Sequence, residues 1–177
     1  MTKLSLLVVS AIAAIAAIAG LASAECDATN TASGSTITIT DGAVCLPQGA
    51  GSYTFVMTTG LYATGLPGTS ATPTSGYFGI LDNTCKILGW YAQPGCGIPY
   101  TIKDSFLQDV LTVDTVSFDV GSPFFAFTYG NGKFSIGNNG CVCGETQQST
   151  AIDVEKACRC AFPVSGVVAK REVEFAA

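Results

Sequence analysis

Eight cysteines give this 177-residue chain its clearest chemical pattern. The last four form two C-x-C pairs, Cys141/Cys143 and Cys158/Cys160, with fourteen residues between the pairs. On a β-strand, residues i and i+2 point to the same face, so each pair presents two sulfurs to one side. Four thiolates can hold zinc, but C-x-C is not the C-x2-C spacing that zinc sites commonly use. The pattern therefore favours disulfide bonds over a metal site.

All eight cysteines are expected to form four disulfide bonds, because an even number in an exported chain is typical of a disulfide framework. Short spacing favours the local pairs Cys26–Cys45 and Cys85–Cys96, while the sequence alone leaves the full connectivity open. The eight residues are Cys26, Cys45, Cys85, Cys96, Cys141, Cys143, Cys158 and Cys160.

Export is predicted from residues 1–24, which have the pattern of a secretory signal peptide. Lys3 supplies a positive n-region, residues 4–20 are uncharged and apolar, and Ala22 and Ala24 flank a serine as small-residue cleavage signals. A signal anchor is the alternative, but the apolar run is short, alanine-rich and without a basic stop-transfer flank. Cleavage after Ala24 would change the net charge from −5 to −6. We expect a secreted protein with no membrane span after signal cleavage.

Two further segments carry processing signals. Lys170-Arg171 is the only dibasic pair, and it predicts that secretory endoproteases remove the tail 170–177; a solvated charged tail is the alternative. Residues 60–76 are rich in Ser, Thr and Pro and are expected to form a surface loop. The candidate O-glycosylation sites in this loop are Thr69, Ser70, Thr72, Thr74 and Ser75. Residues 25–169 are long enough to form a single disulfide-rich β domain with a core.

The chain contains no histidine, which excludes Ser-His-Asp and Cys-His catalysis and His-ligated metal sites. Thirteen acidic residues against eight basic residues predict no nucleic-acid binding, because phosphate neutralisation needs a basic surface. A carboxylate pair, as in glycoside hydrolysis, is the hydrolytic chemistry that remains. The candidate carboxylates are Asp41, Asp82, Asp104, Asp109, Asp114, Asp119, Glu145, Asp153 and Glu155. None lies in a recognisable motif, so we expect a non-enzymatic protein without a cofactor.

Trp90 and Tyr91 are the candidate ligand-contact aromatics, since adjacent rings can stack on sugars. Core packing is the favoured alternative, because tryptophan and tyrosine are usually buried with their polar atom satisfied.

Period-two alternation predicts many short strands around these residues. Residues 35–40 alternate threonine with isoleucine, and residues 53–58 place Tyr53, Phe55 and Met57 on one side. Further strands are predicted over 77–81, 86–92, 100–103, 111–120, 124–129, 133–136 and 162–168. The pattern favours an all-β fold, a disulfide-stapled antiparallel β-sandwich or barrel, with at most one short helix over Thr150–Ala157.

Local signals also place the connections. The apolar phase slips between Val113 and Val116, which predicts a bulge at Asp114-Thr115. Asn-Gly favours positive φ, so Gly130-Asn131-Gly132 predicts a hairpin between the strands 124–129 and 133–136. A second turn is expected over 137–140, directly before the first C-x-C pair.

Taken together, the Ala24 cleavage signal, the eight cysteines, the low-charge β-rich body and Lys170-Arg171 resemble the small secreted cysteine-rich proteins of filamentous fungi. The resemblance covers the whole chain as a class, and it implies an effector or elicitor that acts on a host, with virulence or cell-death induction as its outcome. The expected partner is a host protein or a cell-wall glycan, in an extracellular location that is the host apoplast for a plant-associated fungus. A fungal cell-wall or glycan-binding protein is the alternative, and a carboxylate-dependent glycosidase is the third hypothesis.

Overall fold

The computed structural model describes residues 26–59, 76–119, 121–146 and 156–168, together with the backbone of 62–63 and 152–153. The predicted signal peptide, the O-glycosylation candidates and Lys170-Arg171 lie outside these residues and stay predictions. The described residues are all-β and contain no helix, which confirms the predicted fold class. They accordingly include no helix that could cross a membrane.

Strands account for the regular structure throughout the described residues. In chain order they are β1 (Ser52–Thr59), β2 (Tyr62–Ala63), β3 (Tyr77–Leu81), β4 (Ile87–Ala92), β5 (Tyr100–Ile102), β6 (Leu111–Ser117), β7 (Phe124–Tyr129), β8 (Gly132–Ser135), β9 (Val142–Glu145), β10 (Ile152–Asp153) and β11 (Lys156–Pro163).

These strands form a larger sheet in the order β4-β3-β1-β11-β9, a smaller sheet in the order β5-β6-β7-β8, and the short ladder β10-β2. Every strand pairing is antiparallel. From β1 the chain steps through β3 to β4 at one edge of the larger sheet, then enters the smaller sheet at β5. It crosses that sheet to β8, returns at β9, and closes the path when β11 pairs with β1.

A single apolar core fills the space between the two sheets. Phe55 of β1 is fully buried, and its ring lies 4.7 Å from that of Phe127 and 5.2 Å from that of Phe125, measured between centroids. Phe78 and Ile80 of β3 join the same core. Apolar side chains at alternate positions of facing strands therefore hold the sheets together, as the sequence pattern predicted.

The other face of the larger sheet is also buried, beneath the N-terminal segment of residues 26–50. A second core cluster joins Ile39 and Val44 of this segment to Val56 of β1 and Trp90 of β4. Backbone hydrogen bonds anchor it, for example Ile39 N to Cys85 O at 2.9 Å. The larger sheet is therefore the middle layer of three.

The start of the N-terminal segment also bridges the gap between the two sheets. Asp27 forms a parallel bridge with Thr101 of β5, and Asn30 forms an antiparallel bridge with Tyr91 of β4. These are the edge strands at which the chain passes from one sheet to the other. The segment therefore connects the two sheets on this side through backbone hydrogen bonds.

The structure corrects several sequence predictions of secondary structure. The helix over Thr150–Ala157 is wrong where the chain is described, because Ile152–Asp153 is β10 and β11 begins at Lys156. Pairing of β11 with both β1 and β9 holds this region extended, and tertiary pairing overrides a weak capping signal. The strand over 162–168 ends at Pro163, and β9 was not predicted.

Residues 35–40 keep the predicted alternation without becoming a strand. Ile39 is buried and its threonine neighbours are exposed, but the only ladder contact here is an isolated bridge between Thr38 and Lys86. The bulge and the hairpin are confirmed. The register of β6 on β7 shifts between Val113 and Thr115, and β7 and β8 pair across Gly130, which has φ +55°.

Candidate functional site

The two C-x-C pairs lie opposite each other. Cys143 is on β9, Cys141 directly precedes β9, and Cys158 and Cys160 are on β11. Cys143 pairs in register with Cys158. Two residues before Cys143, Cys141 lies beside Cys160, to which it is bonded. Both pairs form disulfides, with Cα–Cα distances of 3.9 Å for Cys143–Cys158 and 4.2 Å for Cys141–Cys160. The same-face geometry of i and i+2 therefore produces two adjacent cross-strand bonds, which fix the register of the two strands.

The other two disulfides attach the N-terminal segment. Cys26 bonds to Cys96 and Cys45 bonds to Cys85, so the predicted local pairs Cys26–Cys45 and Cys85–Cys96 are wrong. The reason is that the segment crosses the outer face of the larger sheet, where Cys45 meets Cys85, whereas its start lies beside β5, next to the loop that contains Cys96. No cysteine is free, which confirms four disulfides. No group of three metal-ligating side chains lies close enough to hold an ion within the described ranges.

Trp90 and Tyr91 do not offer a ring face to a ligand. Both side chains are completely buried, Trp90 beneath the N-terminal segment and Tyr91 between the sheets. The Tyr91 hydroxyl donates a 2.8 Å hydrogen bond to Asp104 Oδ2. Burial, and the hydrogen bond and charge of Asp104, raise the pKa of this phenol well above its usual range. Core packing is therefore the role that the structure gives to these aromatics.

Several candidate carboxylates serve as local turn acceptors. Asp82 Oδ1 accepts from the Thr84 and Lys86 backbone N–H groups, and Asp119 Oδ1 accepts from Gly121 N. Asp41 Oδ1 accepts from Ala43 N. Carboxylates that cap turns in this way are expected at strand ends and need no catalytic role.

Asp104 and Asp109 are two candidate carboxylates that line one depression, of about 280 Å³, beside Lys103. Asp104 Oδ2 accepts from Asn30 Nδ2 at 2.6 Å as well as from Tyr91, and Oδ1 accepts from Ser105 N. Lys103 Nζ lies 3.2 Å from Asp27 Oδ1. Asp104 and Lys103 are thus engaged in joining the N-terminal segment to β4 and β5.

A second depression, of about 320 Å³, lies at the edge of the larger sheet. Glu145 of β9 and Lys156 of β11 are in register across it, and Cys143 lies in its wall with Pro123.

The largest of these three depressions, about 410 Å³, lies on the outward face of the smaller sheet. We call this surface of β6, β7 and β8 the open face, because its outward side chains are partly or fully exposed. The lining residues are Asp114, Ala126, Phe127, Thr128, Lys133, Phe134, Ser135 and Asn138.

Sheet register brings the polar groups of the open face together. Thr128 of β7 pairs with Thr112 of β6 on one side and with Lys133 of β8 on the other. Asp114 is the extra residue of the β6 bulge, a feature that redirects a side chain relative to the regular alternation. Asn138 comes from the turn after β8. A carboxylate, an ammonium, an amide and hydroxyls thus share one shallow site.

Sequence reasoning located the bulge and the turn that build this site but assigned them no ligand. The available signal was the threonine alternation of β6 and β7, which also occurs on ordinary solvated strands. Register between three strands was needed to place Asp114 and Lys133 at the same depression. The predicted surface loop 60–76 lies largely outside the described residues.

Four disulfides in an all-β domain fit an extracellular or secreted protein. No family model matches the chain, and neither a curated protein nor a solved structure is similar to it at a meaningful level.

Proposed function

We propose that the protein is a secreted, non-enzymatic effector or elicitor that acts outside the producing cell by binding a host component. The observation that carries this proposal is the polar depression of the open face. The depression offers hydrogen-bond donors and acceptors, one negatively and one positively charged, on paired strands, and such groups can orient a bound ligand. Glycoside hydrolysis uses two carboxylates, and Asp114 is the only one among the described residues that line this depression. Asp104 and Asp109 line another depression, where Asp104 is engaged by Asn30 and Tyr91.

The disulfide framework supports the extracellular part of the proposal. The four disulfide bonds persist in an oxidising compartment and restrict the unfolded chain. They connect the N-terminal segment to the loops around β4, and β11 to the region of β9. A domain held in this way keeps its binding surface in the presence of extracellular proteases, because cleavage requires local opening.

Infiltration of the folded, secreted protein into leaf tissue tests the proposal. We expect a dose-dependent host response, measured as ion leakage and cell death. The same protein after reduction and alkylation of its eight cysteines is the control, and it is expected to be inactive. Absence of any response to the folded protein across host species would contradict the proposal.

A cell-wall protein of the producing organism is the second candidate function. The hydroxyls of Thr112, Thr128 and Ser135 on the open face favour it, because polysaccharides offer hydroxyls as partners. Co-sedimentation with isolated fungal walls and with isolated plant walls separates the two functions. Retention on fungal walls alone, with no response in leaves, would select the second.

A further inference from the structure

Asp114 and Lys133 are charged side chains that line the same depression and have no partner within the described chain. Neither forms an ion pair or a side-chain hydrogen bond with another described residue, and both are exposed. The contrast is with Asp27 and Lys103, which pair with each other at 3.2 Å. Because Asp27 and Lys103 join the N-terminal segment to β5, their role is structural, whereas Asp114 and Lys133 remain available to a ligand.

Neighbouring groups supply both donors and acceptors. Asn138 Oδ1 accepts a 2.7 Å hydrogen bond from Ser135 N, which leaves the amide NH2 of Asn138 as a donor. The Thr128 and Ser135 hydroxyls can donate and accept, while Lys133 donates and Asp114 accepts. A sugar hydroxyl also donates and accepts, so two adjacent hydroxyls of one sugar can hydrogen-bond to two neighbouring side chains of the depression.

The turn that carries Asn138 is held before any ligand binds. Asn138 N donates to Ser135 O at 2.9 Å, and Cys141 N donates to Asn138 O at 2.8 Å. Asn139 Nδ2 donates to Lys133 O, which ties the turn to β8. The buried Cys141–Cys160 disulfide fixes the end of the turn to β11. A site that is ordered in advance loses little conformational entropy on binding.

Charge decides which class of glycan fits. The depression contributes one positive and one negative side chain, so its own charges balance. The chain carries a net charge of −5, which repels polyanions such as uronic-acid polymers. A volume of about 410 Å³ lies within the range of roughly 300–1,000 Å³ that is usual for small-ligand sites. These properties together favour a neutral polyhydroxylated ligand.

Resting on the proposed binding function, we infer that the open-face depression binds a neutral glycan segment through Asp114, Lys133 and Asn138. Asp114 accepts from sugar hydroxyls, and Lys133 and Asn138 donate to hydroxyl or ring oxygens. The ligand lies across β7, between the bulge of β6 and the turn after β8.

Binding of the folded protein to neutral oligosaccharides tests this inference. Isothermal titration is carried out with chitohexaose, laminarihexaose, cellohexaose and xylohexaose, and with an oligogalacturonate as the anionic probe. We expect at least one neutral probe to bind and the oligogalacturonate not to bind. The double variant Asp114→Ala/Lys133→Ala should weaken binding about tenfold or more, because hydrogen bonds to charged groups are lost.

The matched control is Glu145→Ala/Lys156→Ala, which removes the same two charges from the depression of the larger sheet. It is expected to leave affinity within about twofold of the parent, given typical error in such comparisons. Circular dichroism and thermal unfolding of both variants establish that they are folded. Equal weakening by the control variant, or a neutral glycan bound equally well by Asp114→Ala/Lys133→Ala, would overturn the assignment of this site.

Failure of the ligand class and failure of the proposed function give different results. If no neutral glycan binds but the parent protein elicits a leaf response that Asp114→Ala/Lys133→Ala loses, the glycan inference is wrong and the binding function stands, with a protein as ligand. If the parent elicits no response yet binds a neutral glycan at Asp114 and Lys133, the inference stands and the host-directed function is wrong.

Discussion

The outer faces of the two sheets differ both in what covers them and in their side chains. In β1 and β3 of the larger sheet, side chains on both faces are buried, because residues 26–50 cover the outer one. In β7 of the smaller sheet, buried and partly exposed positions alternate along the whole strand. The N-terminal segment therefore covers an apolar face, which includes Val56, Leu81 and Trp90, and leaves the polar outer face of the smaller sheet available for recognition.

Threonine hydroxyls have different hydrogen-bonding environments on the two faces. Thr54 and Thr58 of β1 are buried beneath the N-terminal segment, and their hydroxyls have no hydrogen-bond partner in the described structure. Thr112 and Thr128 of the smaller sheet remain partly exposed and can bond to water or a ligand. A buried hydroxyl without a partner is destabilising, so the covered face is held by apolar packing and disulfides.

The largest effect should come from breaking the packing of the covered face. Trp90→Ala removes a fully buried indole between β4 and the N-terminal segment, and we expect it to lower the free energy of unfolding by about 3–5 kcal/mol. Urea denaturation measures this loss. Trp90→Phe should cost less, because the indole N–H has no hydrogen-bond partner within the described residues. Similar losses for both variants would contradict this account.

Detaching the N-terminal segment at one end should have the next largest effect. The Cys45–Cys85 disulfide joins the segment to the turn before β4, and both sulfurs are buried. Cys45→Ala/Cys85→Ala should lower the free energy of unfolding by about 2–4 kcal/mol and increase hydrogen exchange at Ile39 more than at Phe127. Uniform loss of protection in both sheets would show that the segment is not a separate layer.

Acid should weaken the attachment of the same segment to β5. Hydrogen bonds from Thr101 and Lys103 hold the pKa of Asp27 below its usual range. The pKa of Asp27 is therefore lower in the folded state than in the unfolded state. The resulting stabilisation is fully present above the unfolded-state pKa and is lost as the pH falls through the folded-state pKa. Melting temperatures between about pH 5 and pH 2 should fall less steeply for Asp27→Asn than for the parent.

Asp114→Asn is the matched control for this pH series, since Asp114 is exposed on the open face and has no partner in the described chain. Its melting profile should follow that of the parent. A profile that flattens as much as that of Asp27→Asn would show that general charge, and not the link between Asp27 and β5, governs the acid response.

The smallest effect is expected on the open face itself. Thr128→Ala should change the free energy of unfolding by no more than about 0.5 kcal/mol, because the side chain is partly exposed and lies away from the core. Chemical denaturation beside Trp90→Ala provides the direct comparison. If Thr128→Ala lowered the free energy of unfolding as much as Trp90→Ala does, the Thr128 side chain would contribute to the stability of the fold and would not be free to bind a ligand.

Local patterns predicted most of the smaller sheet, since β7, β8 and their hairpin depend on neighbouring residues. They failed where distant segments decide the outcome. The N-terminal segment takes Cys26 and Cys45 to partners far along the chain, and pairing with β1 extends β11 from Lys156, in the region read as a helix. The site was missed for the same reason, because Asp114 and Lys133 approach each other only through the register of three strands.

The pairing of β1 with β11 also sets an order in which the protein can be completed as it is made. β1 is the central strand of the larger sheet and comes first among the described strands, yet its partner β11 follows all the other described strands in the sequence. The smaller sheet needs only sequential neighbours, so its contacts can form while the polypeptide is still being synthesised. One side of β1 must wait until β11 has been synthesised, and until then the backbone groups on that side are available to other chains. Pairing with β11 is therefore the step that protects β1 from intermolecular strand pairing.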